Sequence, residues 1–265
     1  MNRLTQRLQQ LRAAGRSGLV TYLTAGDPDA ATSLALLTRL GAAGADLIEL
    51  GMPFSDPVAD GPTIQAAHLR ALASGQTLAA TLQLVSRLRQ HDQATPLLLM
   101  GYLNPLLQYG VEPFMAAAAA AGVDGLLLVD LPFEHAAPYR AAARQHGLQL
   151  IAMTAPGSDA ARLAHLLPQA EGFVYHVSLN GITGSTAADS DALAAHVARL
   201  RTLTPLPIAL GFGLRTPQQL AALNCQADLL VVGSALVATL AREGVEATLQ
   251  QVRQLAAALQ PDSAG

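Results

Sequence analysis

Lysine is missing from this chain: all 16 of its basic residues are arginine. Schiff-base catalysis needs a lysine amine, as nucleophile or as the anchor of pyridoxal phosphate, so both chemistries are excluded. Cysteine occurs once, at Cys225, which rules out an internal disulfide and suits a reducing compartment. Charge is also sparse, at 13% of residues and a net of −3. Nucleic acids and anionic membranes are bound by clustered positive charge, so neither is an expected partner. The apolar run 115–122 is mostly alanine and falls far short of the ~20 residues a membrane helix needs. Of seven histidines, only His176 falls in a strand-like run, and its neighbour Tyr175 takes the opposite face. No His/Asp pair has ligand spacing, so no metal is expected.

What is present is a long series of short apolar runs. Hydrophobic residues make up 51% of 265, enough to bury a large core. Strands are predicted at 19–24, 46–50, 97–102, 125–130, 148–153, 173–178, 207–210 and 228–232, with helical periodicity between them, as at 31–43, 78–90 and 138–146. Eight strands alternating with helices imply parallel βαβ units, and unbroken runs such as Leu126–Val129 suit strands buried on both faces. The reading is one (β/α)₈ TIM barrel over residues 1–265, preferred to an open doubly wound sheet because eight units fill the length. Leucines 4, 8 and 11 add an amphipathic N-terminal helix rather than a signal peptide. The one irregular interval, 51–75, is a long loop after strand 2, where barrel active sites are built. The tail 260–265 reads as loose.

Glu49 closes the second strand. Alternation places it with Leu47 on one face and Ile48 with Leu50 on the other, so its carboxylate points to the lumen or its mouth. Burial there would raise its pKa and ready it for proton transfer; a carboxylate paired with an arginine reads equally well. Asp60 lies in the inserted loop as a turn or cap before a helix at 63–73, and Asp56 has the same reading. Asp46 opens its strand at the opposite, structural end. Asp130 ends the fourth strand, where a turn role before Leu131-Pro132 is as good as a site role. Glycine clusters follow the late strands: Gly181-Ile182-Thr183-Gly184, Gly211-Phe212-Gly213 and Gly233-Ser234. Backbone N–H groups freed of side chains, with a helix starting at Ser234, make a phosphate site. Arg215 is read as a solvated arginine at a helix start.

The segment Glu49-Leu50-Gly51-Met52-Pro53-Phe54-Ser55-Asp56-Pro57-Val58-Ala59-Asp60-Gly61-Pro62-Thr63-Ile64-Gln65 resembles the signature of the tryptophan synthase alpha-subunit family. The likeness continues along nearly the whole chain, in Thr24-Ala25-Gly26-Asp27-Pro28, Met100-Gly101-Tyr102-Leu103-Asn104-Pro105, Val129-Asp130-Leu131-Pro132, Tyr175 with Ser178, Gly181 and Gly184, and the two late glycine clusters. It implies a cytoplasmic lyase that cleaves indole-3-glycerol phosphate to indole and glyceraldehyde 3-phosphate, with Glu49 as acid/base, Asp60 receiving the indole N–H and Tyr175 assisting. Tyr22, Ile64, Met100, Tyr102, Leu127, Thr183 and Phe212 would contact substrate, and Gly184, Gly213, Gly233 and Ser234 its phosphate. The resemblance also implies no cofactor in this chain and a pyridoxal-phosphate beta subunit as partner in an alpha2beta2 complex, met through Pro53, Asp56, Asn104 and Pro105. Tyr22 departs from the phenylalanine common in the family. The competing readings are a stand-alone lyase, a silent barrel that activates a beta subunit, and a sugar-phosphate isomerase, for which the lumen offers no His or Lys electrophile.

Overall fold

A computed structural model describes residues 2–155, 157–177, 187–211 and 213–260. Eight parallel strands form a closed barrel in chain order: β1 (Gly18–Thr24), β2 (Leu47–Gly51), β3 (Leu97–Gly101), β4 (Gly125–Leu128), β5 (Gln149–Thr154), β6 (Glu171–Val177), β7 (Ile208–Gly211) and β8 (Leu229–Val232). β8 pairs with β1 from Gly18↔Leu229 to Thr21↔Val232, and this closure excludes the open sheet. Eleven α-helices lie among the described residues: α1 (Arg3–Ala14), α2 (Ala30–Ala43), α3 (Pro62–Ala73), α4 (Leu78–Arg89), α5 (Leu103–Tyr109), α6 (Val111–Ala121), α7 (Ala137–Gln145), α8 (Ala160–Leu166), α9 (Ala187–Leu203), α10 (Pro217–Leu223) and α11 (Ser234–Ala257). None is long and apolar enough to cross a membrane.

Two layers of core follow from strand alternation. Outward residues such as Ile48, Leu50, Leu97 and Leu99 pack under the helices. Inward residues Val20, Leu47, Leu98, Leu127, Phe173 and Leu229 fill the lumen together with Leu4 and Leu11 of α1. The amphipathic N-terminal helix thus stoppers the barrel at the N-terminal ends of its strands. Carboxylates at that end are structural: Asp46 accepts from Arg16 and from the backbone of Leu19, while Asp124 is held by Arg3, Arg89 and the Leu97 N–H. With that end closed, the opposite mouth is left for a ligand.

Two details differ from the sequence reading. β4 stops at Leu128, two residues short of the expected end, because the chain turns toward Pro132. Asp130 is therefore exposed, and its Oδ1 accepts the Leu103 N–H at 2.7 Å at the start of α5. The β3–β4 connection holds two helices, split at Gly110 (φ 92°), where only an alanine-rich run was recognised.

Candidate active site

Glu49 rises from β2 between Tyr22 of β1 and Leu98 of β3, one inward position above Leu47. Its side chain is 1% exposed, and neither carboxylate oxygen has a hydrogen-bond partner among the described residues. Burial is the main force raising its pKa to about 8, and the negative charge of Asp60 adds to it. The Tyr175 hydroxyl opposes the rise without reaching hydrogen-bond geometry. The arginine pairing that the sequence left open is absent here. A protonated carboxyl in an apolar wall is a proton donor waiting for a basic carbon or oxygen.

Above it opens a cavity of about 850 Å³ lined by Tyr22, Glu49, Asp60, Ile64, Met100, Tyr175, Gly213, Gly233 and Ser234. The strands and loops therefore bring nine of the expected site residues to one space. Tyr175, on β6, keeps its proton firmly because burial and then the nearby Glu49 disfavour a phenolate. Tyr22 is held likewise, by burial and then Asp60, and its hydroxyl lies 3.3 Å from Thr24 Oγ1. Both side chains pass close over glycines of the neighbouring strands. A Cβ on Gly51 would sit 2.2 Å from the Tyr22 hydroxyl, and one on Gly211 would sit 2.8 Å from the Tyr175 ring.

Two expected contact residues stand off the wall. Leu127 is fully buried in the lumen layer below. Tyr102 is 2% exposed and stands behind Asp60. Its hydroxyl donates to Asp60 Oδ2 at 2.7 Å and accepts the Ala59 N–H at 3.0 Å. Thr183, Gly184 and Phe212 lie outside the described residues. Asp56 and Asn104 are exposed and Pro53 and Pro105 half-buried, and none of the four lines the cavity.

At the far side, Gly213 (φ 65°) adopts the left-handed conformation that glycine favours, and Gly233 caps α11, whose first segment runs from Ser234 to a kink at Gly244 (φ 82°). The first N–H groups of a helix have no partner within it, and the aligned peptide dipoles favour an anion at this end. Arg215 is exposed and lines no part of the cavity. Arg162, which the sequence reading did not single out, is the one cationic side chain on the described cavity wall, 3.6 Å from Glu134.

His68 was also passed over, as one more helical histidine. It is 2% exposed, on the face of α3 that carries Ile64, Ala67 and Ala71 inward, and its Nε2 lies 3.4 Å from Asp60 Oδ2. The signal was in the sequence: residue 68 is one helical turn from Ile64.

Residues 8–263 match the family model described as tryptophan synthase alpha chain. A tryptophan synthase alpha chain of Granulibacter bethesdensis is 51% identical over 268 residues, covering 98% of this chain and 96% of the relative. The crystal structure of tryptophan synthase subunit alpha from Legionella pneumophila is similar with a TM-score of 0.91 at 36% identity, covering 97% of this chain and 98% of that one. A structure of Mycobacterium tuberculosis tryptophan synthase gives 0.91 at 37% identity, over 98% and 99% of the two chains.

Proposed function

The chain belongs to the tryptophan synthase alpha chain family, a family of carbon–carbon lyases that release indole and glyceraldehyde 3-phosphate from indole-3-glycerol phosphate, and we propose that Glu49 and Asp60 carry this reaction here. The observation that supports the assignment is the Glu49 carboxyl beneath the cavity, buried, without a hydrogen-bond partner among the described residues, and with its pKa raised by that burial to about 8. With no lysine in the chain to form an imine, the reading places the electron sink in the substrate itself. Protonation of indole C3 by Glu49 supplies one, leaving positive charge shared with the ring nitrogen. Asp60 accepts the hydrogen bond from that N–H and stabilises the charge as it develops. The Glu49 carboxylate then takes the proton of the glycerol hydroxyl. The carbon–carbon bond breaks, its electron pair returns to the indole ring, and the hydroxyl carbon leaves as the aldehyde.

Tyr175 stands beside Glu49 as a neutral donor. Tyr22, Ile64 and Met100 clasp the ring, with Leu127 as the floor beneath and Tyr102 acting through Asp60. Gly213, Gly233 and Ser234 receive the phosphate at the positive end of α11. Thr183, Phe212 and Gly184 complete this reading from beyond the described residues. None of these steps calls on a cofactor of this chain.

The partner is a pyridoxal-phosphate beta subunit in an alpha2beta2 complex, docking on the surface formed by Pro53, Asp56, Asn104 and Pro105. The exposed Val58, at 84%, supports that surface, since a bare aliphatic side chain on a site loop gains by being covered. A cytoplasmic location accords with Cys225, which is free and exposed. The test is indole release by the purified chain with and without the beta subunit, beside Glu49→Gln. Release that accelerates with the partner and falls roughly a hundredfold or more in the variant supports the reading. Equal rates with and without the partner would favour a stand-alone lyase, and no release in either condition removes the catalytic assignment.

A further inference from the structure

Two donors behind the cavity wall address the same oxygen of Asp60. The Tyr102 hydroxyl donates to Oδ2 at 2.7 Å, and His68 Nε2 stands 3.4 Å from that same atom. The tautomer of His68 is fixed by its other nitrogen, because Nδ1 accepts the Phe54 N–H at 3.0 Å. The ring proton therefore sits on Nε2 and faces Asp60. Nε2 is buried and has no other partner among the described residues. A buried N–H without an acceptor is costly, and Asp60 Oδ2, at 3.4 Å, stands a few tenths of an ångström beyond ordinary hydrogen-bond length. No donor among the described residues reaches Oδ1.

We propose that His68 is a positioning residue that fixes Asp60, closing on Oδ2 when substrate is bound so that Oδ1 alone presents to the indole N–H. This rests on the reading of Asp60 given above. The imidazole bridges the start of the inserted loop, at the Phe54 backbone, to the carboxylate near its end. It therefore ties the backbone at the start of the loop to the aim of the carboxylate. Catalytic hydrogen bonds are often long before substrate arrives and tighten in the complex. A donor to a carboxylate is also worth more than a neutral one once water is excluded.

The experiment uses the full chain and two inert ligands, indolylpropyl phosphate and its benzofuran counterpart, which has no ring N–H to donate. Titration of the wild-type protein should show a preference for the indole compound, abolished in Asp60→Ala, which leaves no acceptor; if the wild type shows none, the reading of Asp60 itself fails. Given that preference, His68→Asn keeps an acceptor for Phe54 but loses the donor to Asp60. It should weaken indole binding about fivefold to tenfold, the scale of one charge-assisted hydrogen bond partly lost, and change benzofuran binding less than about twofold. His68→Gln extends an amide N–H toward Oδ2 and should recover most of the loss. Equal weakening of both ligands in His68→Asn, an unchanged preference, or a Gln variant no better than Asn each overturns the proposal. Should His68→Asn not fold, His68→Gln alone decides: a preference like that of the wild type supports the proposal, and its loss refutes it.

Discussion

The charge of Asp60 holds a proton on Glu49. The two side chains face one cavity from different elements, a strand and a loop, and Asp60 is the second cause, after burial, of the Glu49 pKa near 8. The residue that would steady positive charge on the ring thereby also keeps the acid in its donating form.

This coupling gives a pH signature. With protonated Glu49 required in the free enzyme, kcat/KM for indole release should be flat below about pH 7 and fall about tenfold per unit above about pH 8. Asp60→Asn removes a negative neighbour, so the Glu49 pKa must drop and the alkaline limb must move to lower pH. The variant should also lose roughly a hundredfold or more in kcat/KM. A residual activity whose alkaline limb stays in place, or moves upward, would break the link between the two carboxylates.

Glu49 should also weaken the fold as pH rises. Its pKa is about 8 when folded, against the ordinary carboxylate value of 4.5 in an unfolded chain. Below the lower value both states hold the proton. Between the two, the unfolded chain releases it while the folded chain keeps it, so stability declines with rising pH and reaches its floor above the folded value. Glu49→Gln removes this titration. The variant should gain on the wild type by about 2–4 kcal/mol between about pH 5 and pH 8.5, read from urea unfolding at both. A stability gap that does not widen with pH would mean that the carboxyl is not buried as described.

The repeating elements were legible in the sequence because they depend on local patterning. Unbroken apolar runs marked all eight strands to within about two residues, and the glycine before Ser234 marked the start of α11. The lumen position of Glu49 was legible too, since alternation needs only its neighbours. What escaped depends on contacts between distant segments. The hydroxyl of Tyr102 meets a carboxylate 42 residues earlier, and nothing around Tyr102 announces that. His68 lies in a helix whose inward face was visible, but its partners, Phe54 and Asp60, are fixed by how the loop folds back. For Asp130 the turn role of the two readings is the one observed, but in a turn beyond β4 rather than at its end, and its partner, the Leu103 N–H 27 residues earlier, is not announced by its neighbours.

The stopper at the closed end makes a plainer prediction. Leu11 is 4% exposed, and its Cδ1 lies 2.5 Å from where a Cβ on Gly18 would sit, so α1 packs tightly on the strands. Leu11→Ala should cost about 2–4 kcal/mol in urea unfolding while KM for the substrate changes less than about twofold, because the site is at the other mouth. A large rise in KM with little loss of stability would show that α1 shapes the site rather than closing the core.

The last prediction concerns the space that Gly51 leaves for Tyr22. A methyl at residue 51 would meet the Tyr22 hydroxyl at 2.2 Å and its ring carbon Cζ at 2.8 Å, and the ring, only 5% exposed, has no free volume to retreat into except the cavity. Gly51→Ala should therefore push the ring into the substrate space, raising KM about tenfold or more and costing about 1–3 kcal/mol of stability. Tyr22→Phe relieves the shorter contact and leaves the longer one. In the Gly51→Ala background it should recover part of both losses, with a coupling of about 0.5–2 kcal/mol in a double-mutant cycle. Strict additivity of the two substitutions would mean that the added methyl is absorbed elsewhere, and that the glycine at this position is not there to let the tyrosine lie across the strand.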